Sequence, residues 1–265
     1  MKGTLPLFDH ALDSPTAFTP EALVEAVRAE RRISMEPIPQ ICVLEFDGDL
    51  TDWLVSTGAV KPCDSWACFH TEMFSLEVEG VTCGIVPRTI GGPYAVLVAE
   101  QMAVSGARVV LGLTSAGRVS PQMPVPGLVC VTSAVRDEGT SYHYLPPAGT
   151  VNAPPHVAKL LESELQRLSL PVLSGAVWTT DAPYRETAEQ LASHAKTGVL
   201  AVEMQAASLL AFSAARHFAV GVVAHVTNSS SREGKAFDKG VRELEFGILK
   251  AICRAGKTFV SSSSR

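Results

Sequence analysis

What the sequence has little of narrows its function before any motif is read. Lys and Arg number 22 against 27 Asp and Glu, for a formal net charge of -5 and a pI near 5.8. Neutralising a phosphate backbone needs a basic field, so nucleic acid is not an expected partner. The six cysteines (Cys42, Cys63, Cys68, Cys83, Cys130 and Cys253) contain no C-x-x-C pair and no histidine-flanked cluster. They read as buried thiols of a reducing compartment, with no metal site. No uninterrupted apolar run reaches membrane-spanning length, and the opening residues place acid and proline where a signal peptide needs an apolar core. A cytoplasmic protein without a membrane partner or a resident cofactor is expected, acting on a small molecule. No internal repeat or low-complexity linker divides the chain.

What is present is a large apolar fraction, 46%, over 265 residues, enough to bury one sizeable core. Short β-branched runs alternate with longer helical ones. Strands are expected at 41–46, 82–86, 108–113, 128–132, 173–178, 199–202 and 220–226, most of them buried on both sides. Helices are expected at 20–31, 93–105, 155–168, 185–194, 205–217 and 235–255. Pro20, Pro93 and Pro155 stand where only a first helical turn tolerates proline. This order predicts a single α/β domain with a central mixed sheet flanked by helices. Residues 1–40 form an N-terminal extension with a helix, 41–257 the α/β domain, and 258–265 a flexible tail.

Polar segments break from the apolar strands at several points. Gly198-Val-Leu-Ala-Val-Glu-Met-Gln-Ala-Ala-Ser208 turns from strand to helix with Glu203, Met204 and Gln205 at the turn. A carboxylate beside a flexible thioether suits a small amphiphilic ligand. Gly91-Gly92-Pro93 lets backbone amides approach a ligand at a helix start. Gly112-Leu-Thr-Ser-Ala-Gly117 offers Thr114 and Ser115 at the carboxyl edge of the sheet, where open α/β sheets place ligands. Trp178-Thr-Thr-Asp-Ala-Pro-Tyr-Arg185 brings Asp181, Tyr184 and Arg185, and Asn228 follows the strand ending at Val226 with both a donor and an acceptor. His70 and His143 are further candidate acid–base groups. Each segment has an ordinary structural use, as a turn, a cap or a surface loop. Their convergence at one sheet edge favours a site.

In order along the chain, these segments resemble the nucleoside phosphorylase family that includes uridine phosphorylase, hexameric purine nucleoside phosphorylase and the methylthioadenosine nucleosidases. The resemblance covers roughly residues 40 to 255. It is carried by Gly91-Gly92-Pro93 with Ala99-Glu100, the Thr-Ser-Ala-Gly run with Pro121 beyond it, and Val135-Arg-Asp-Glu-Gly-Thr-Ser-Tyr-His143. Asp181 with Tyr184, Val202-Glu-Met-Gln-Ala-Ala207 and Val226-Thr-Asn228 complete it. The resemblance implies a homo-oligomer, dimer to hexamer, that cleaves an N-glycosidic bond, with phosphate as a co-substrate in the phosphorylases. It implies Met204 under the ribose, Glu203 and Gln205 near its hydroxyls, Ser115 in the phosphate or water pocket, and Asn228 in the loop that handles the base.

The chain departs from the phosphorylase pattern where charge matters. Asp52 stands at the place of the early phosphate arginine, and Gly112 at that of the second. Losing two cations beside a dianion weakens binding on the order of a hundredfold or more. Gln205 replaces the second glutamate of the Glu-Met-Glu motif, and Asn228 the purine-type catalytic aspartate. Arg88, Arg118, Arg185 and Arg232 are the candidate replacement cations. The expected catalytic residues are therefore Glu203, Asp181, Asn228 and His70. Substrate binding is expected from Met204, Gln205, Ser115, Thr114, Gly92, Tyr184 and Arg185. The expected activity is cleavage of a nucleoside or nucleoside-like molecule, phosphorolytic or, given the lost arginines, hydrolytic. Two alternatives stay open: the scaffold recruited to other acid–base chemistry on a non-nucleoside substrate, and a catalytically weak nucleoside-binding protein.

Overall fold

The computed structural model describes residues 5–8, 11–229 and 241–262. Its strands are β1 (Ile41–Glu45), β2 (Lys61–Pro62), β3 (Phe74–Val78), β4 (Val81–Pro87), β5 (Val109–Arg118), β6 (Gly127–Asp137), β7 (Thr150–Asn152), β8 (Val172–Thr180), β9 (Val199–Glu203) and β10 (Ala219–Ser229). Its helices are α1 (Pro20–Arg31), α2 (Asp49–Ser56), α3 (Gly92–Val104), α4 (Pro155–Leu165), α5 (Ala188–Lys196), α6 (Ala206–Arg216) and α7 (Arg242–Ser262). The result is an α/β fold built on one large mixed sheet flanked by helices.

Strands pair in the order β10-β6-β8-β9-β5-β1-β4-β3-β2, with β7 added to β6. β10 also pairs with β5 in parallel, so β10, β6, β8, β9 and β5 form a closed ring of strands. β1 joins that ring through β5 and continues outward through β4. Burial on both faces explains the unbroken apolar runs: every residue of β1 is buried. The core joins this sheet to α3, α6 and α7 through residues such as Leu44, Phe46, Met102, Leu111, Phe212 and Ile252. Among the described residues no helix is long and apolar enough to cross a membrane.

Local signals set the helix starts. Pro20 and Pro155 occupy first-turn positions, and the Thr19 hydroxyl accepts the Ala22 N–H at 3.2 Å. α5 begins later than its pattern predicts, because Thr187 and Gln190 form a reciprocal capping box while Pro183–Arg185 is a separate 3-10 turn. Of the expected last helix, residues 235–240 lie outside the described residues; α7 runs to Ser262, into the span expected to be a tail.

Several expectations need correction. The Gly112–Gly117 segment is strand rather than loop, because β10 and β9 both hydrogen-bond to that end of β5. β6, β8 and β10 likewise run past their apolar stretches into polar residues. β2, β3, β7 and α2 are additional elements. α2 is hidden in sequence by the Gly-Asp run that starts it, where Gly48 takes a φ of 89° as its N-cap.

Gly92 has a packing role. A Cβ there would lie 2.1 Å from the Ser208 Oγ and 2.9 Å from its Cβ, so the missing side chain is what lets α3 approach α6. Gly92→Ala is expected to destabilise the protein by about 1–3 kcal/mol in urea unfolding, with Ser208→Gly in the same chain recovering part of the loss.

Candidate functional site

Two strands end in a glutamate that folds back onto the helix that follows. At the end of β1, Glu45 accepts the Gly48 N–H at 2.9 Å, the Thr51 N–H at 3.2 Å and the Thr51 hydroxyl at 3.0 Å. At the end of β9, Glu203 accepts the Gln205 and Ala206 N–H groups at 2.6 and 2.8 Å and the Thr179 hydroxyl at 2.5 Å. The Thr179 oxygen in turn accepts the Ala207 N–H at 2.9 Å. Free amides at a helix start attract a carboxylate, and here they obtain one from the strand just before. Burial nevertheless dominates, pushing both Glu45 and Glu203 up to about 7 against the hydrogen bonds that hold them down.

That upward shift has a definite sign in stability. An unfolded glutamate loses its proton near 4.5, the buried one near 7, so the native state holds the extra proton across that window. The stability tied to it is complete below about pH 4.5 and is lost as pH rises through about 7. The advantage of wild type over Glu203→Gln in unfolding free energy from urea titration is therefore expected to shrink by roughly 2–4 kcal/mol between those limits.

Between these two strand ends lies a cavity of about 580 Å³. Following the strand order, the segment after β8 contributes Pro183, Tyr184 and Glu186. The end of β9 contributes Val202 to Gln205, β5 contributes Thr114 to Gly117, and the residue after Phe46 contributes Asp47. Ile90, before α3, completes the lining. A second hollow of about 590 Å³ between Ser34–Ile41 and Pro62–Ser65 holds none of the candidate residues.

Polar contacts organise the cavity. The Ser115 hydroxyl donates to Asp47 at 3.0 Å. The Gln205 Oε1 accepts the Thr114 hydroxyl at 3.2 Å and the Met204 N–H at 3.3 Å, so its amide NH₂ is the group left for a ligand. Asp47, Glu186 and Glu203 make the lining acidic, and among the described residues no Lys, Arg or His contributes to it. Desolvation raises Glu186 above its ordinary value. Glu45, Asp47 and Asp49 each bring a carboxylate oxygen within 4.8 Å of the others.

Two arginines near this acidic end are engaged by carboxylates. Arg88 forms an ion pair with Asp52. Arg242 binds Asp49 at 2.7 Å and Glu245 at 2.5 Å. Arg232 lies outside the described residues.

The structure thus brings Glu203, Met204, Gln205, Thr114, Ser115 and Tyr184 together around one hollow. Asp181 is not in that lining: its Oδ2 accepts the Gly139 N–H at 2.8 Å. His70 is exposed, with its carbonyl accepting the Tyr94 hydroxyl at 3.1 Å and its ring 5.6 Å from that of Tyr94. Gly92 packs on Ser208, and Arg185 closes the 3-10 turn with its N–H on the Ala182 carbonyl at 2.8 Å. The side chain of Asn228 lies outside the described residues; its backbone pairs opposite Gly117, a residue of the lining. Sequence reasoning missed Asp47, Ile90 and Glu186 as lining residues. The signal for Asp47 was its place directly after a buried strand, and for Glu186 its place behind Pro-Tyr-Arg.

The chain is similar to known proteins over most of its length. The family model of the Phosphorylase superfamily matches residues 40–254. The uridine phosphorylase of Salmonella typhimurium is 22% identical over 204 residues, covering 71% of this chain and 81% of that protein. The guanosine phosphorylase of Halorubrum lacusprofundi is 25% identical over 159 residues, covering 58% and 64%. The purine nucleoside phosphorylase of Plasmodium vivax is 25% identical over 166 residues, covering 60% and 68%.

Proposed function

The chain belongs to the Phosphorylase superfamily, and from that premise we propose that it cleaves the N-glycosidic bond of a nucleoside with water in the place of phosphate. The relatives' names supply the bond class, since uridine, guanosine and purine nucleosides share one ribosyl–base bond. The observation that carries the hydrolytic reading is Asp47, a carboxylate in the lining and hydrogen-bonded to Ser115. A phosphate dianion placed there would face Asp47 with Glu45 close behind, while Arg88 is held on Asp52 and Arg242 on Asp49 and Glu245. Water has no such penalty, and a carboxylate at hydrogen-bond reach is the group that activates it.

The chemistry follows from the lining. The ribose lies over Met204 between the two ends of the cavity, with the Gln205 amide available to its oxygens and the base toward Tyr184. As the C1′–N bond lengthens, positive charge grows on the sugar. The carboxylates of Asp47 and, once ionised, Glu203 stabilise it. The C1′–N bond breaks with its electron pair on the base, which takes a proton from solvent, while Asp47 takes a proton from the incoming water as its oxygen bonds C1′. Glu203 acts mainly by fixing the β9–α6 turn that presents Met204 and Gln205.

Incubation with a nucleoside panel, with and without phosphate, tests this reading. Free base and free ribose are expected at rates indifferent to phosphate. Strict dependence on phosphate with ribose 1-phosphate as product would overturn the hydrolytic assignment, and no base under either condition would remove the glycosidase assignment.

A further inference from the structure

Asp47, Thr114 and Ser115 line the cavity and also a small hollow that adjoins it. That hollow measures about 10 Å³, the room that one water molecule needs. Its remaining ionisable lining is Glu45, His225 and Glu245, each of them buried. Strand register explains why they meet. Glu45 pairs with Leu113, and Ser115, two residues further along β5, pairs with His225 of β10. Side chains of paired residues share a face, so Glu45, Ser115 and His225 stand on one side of the sheet. There α7 packs on β1 and β5 and adds Glu245 and Ile248 to the hollow.

These groups are not equivalent as proton acceptors. Both Glu45 oxygens already accept hydrogen bonds, one from the Gly48 N–H and the other from the Thr51 N–H and hydroxyl. The Glu245 carboxylate is held by Arg242 at 2.5 Å. A proton added to either would weaken those contacts. His225 is the nitrogen base among the described residues of the lining. A proton arriving on its ring faces Asp47 and Glu45 from the end of β1 and Glu245 from α7, whose negative charge offsets the cost of burial.

Resting on the hydrolytic reading above, we propose that His225 ends a buried proton relay: the proton that Asp47 takes from the attacking water moves on, through a water held in the hollow, to the His225 imidazole. Each transfer balances. The attacking oxygen bonds C1′ and gives its proton to Asp47. Asp47 gives a proton to the held water, and that water gives one of its own to a ring nitrogen. The C1′–N electron pair leaves with the base, which takes a proton from solvent. After the products depart, the imidazolium returns its proton to solvent along the same path. Asp47 is thereby anionic again while positive charge is on the sugar, the state in which a carboxylate stabilises it. His225 acts through Asp47 and does not touch the substrate.

Single-turnover base release from uridine and from guanosine, measured on the full chain, tests the relay. His225→Gln, checked by thermal unfolding, is expected to lower the rate about 10- to 100-fold with substrate affinity unchanged. In mixtures of light and heavy water the wild-type rate is expected to curve with deuterium content, because more than one proton is in flight. The variant's rate is expected to follow a straight line. Adding His225→Gln to Asp47→Asn is expected to cost little beyond Asp47→Asn alone, since the two residues act in one chain. A His225→Gln rate near that of wild type, or additive losses in the double variant, would overturn the relay and leave the hydrolytic reading standing. If His225→Gln fails to fold, the wild-type isotope curve decides: a straight line there overturns the relay. Release of base from neither nucleoside overturns both.

Discussion

Replacing Asp47 by asparagine is expected to slow base release about 100- to 1000-fold in kcat while leaving the fold in place. Asparagine keeps an oxygen that can accept the Ser115 hydroxyl, so the contact at 3.0 Å survives and the cavity keeps its shape. What disappears is basicity: the amide cannot take the proton that water must lose as it attacks C1′. The same substitution removes one negative charge from the group formed with Glu45 and Asp49, so inorganic phosphate should bind the variant more tightly than wild type. Steady-state base release, with phosphate titrated into both proteins, checks the two effects together. A near-wild-type rate in the variant would exclude Asp47 as the base.

The second large effect is expected at Glu203, and chiefly in stability. Truncation to alanine removes the acceptor for the Gln205 and Ala206 N–H groups and for the Thr179 hydroxyl, all buried. Water has little access to a residue only 4% exposed, so these donors would be left without partners. Each such loss costs about 1–3 kcal/mol, so a total near 3–5 kcal/mol is expected in urea unfolding once local relaxation is allowed for. Glu203→Gln should cost less, because one oxygen remains for the helix amides. Activity should fall with Glu203→Ala as well, since Met204 and Gln205 stand on the turn being loosened. An alanine variant within about 0.5 kcal/mol of wild type would contradict the capping role.

Much of this architecture was legible because local and global demands coincide. Pro20 and Pro155 mark helix starts unambiguously, and the apolar runs of β1, β4 and β10 read as strands because both faces are covered. The elements that escaped notice are those whose local pattern gives little away. β3 alternates burial beside the edge strand β2, β7 is three residues long, and α2 begins behind a positive-φ glycine in a run that reads as a turn. Strand ends were placed too early wherever polar residues began, because hydrogen-bonding neighbours rather than apolarity decide where β5, β6 and β8 stop. At the site, Met204, Gln205 and Ser115 could be named from their motifs. Asp181 illustrates the limit: its loop was identifiable, but the Gly139 N–H that draws its side chain lies 42 positions away and carries no local mark.

The circuit formed by β10, β6, β8, β9 and β5 has a consequence for how such a protein can change its ligand. Sliding any one of these strands would disrupt pairing on both of its sides, so Met204, Gln205 and Thr114 are anchored to a frame that resists gradual adjustment. The connections are under no such restraint. New preferences would accordingly arise at Ile90 and at Pro183 to Glu186, which descendants of this chain could alter one substitution at a time while inheriting the strand-borne part of the cavity intact.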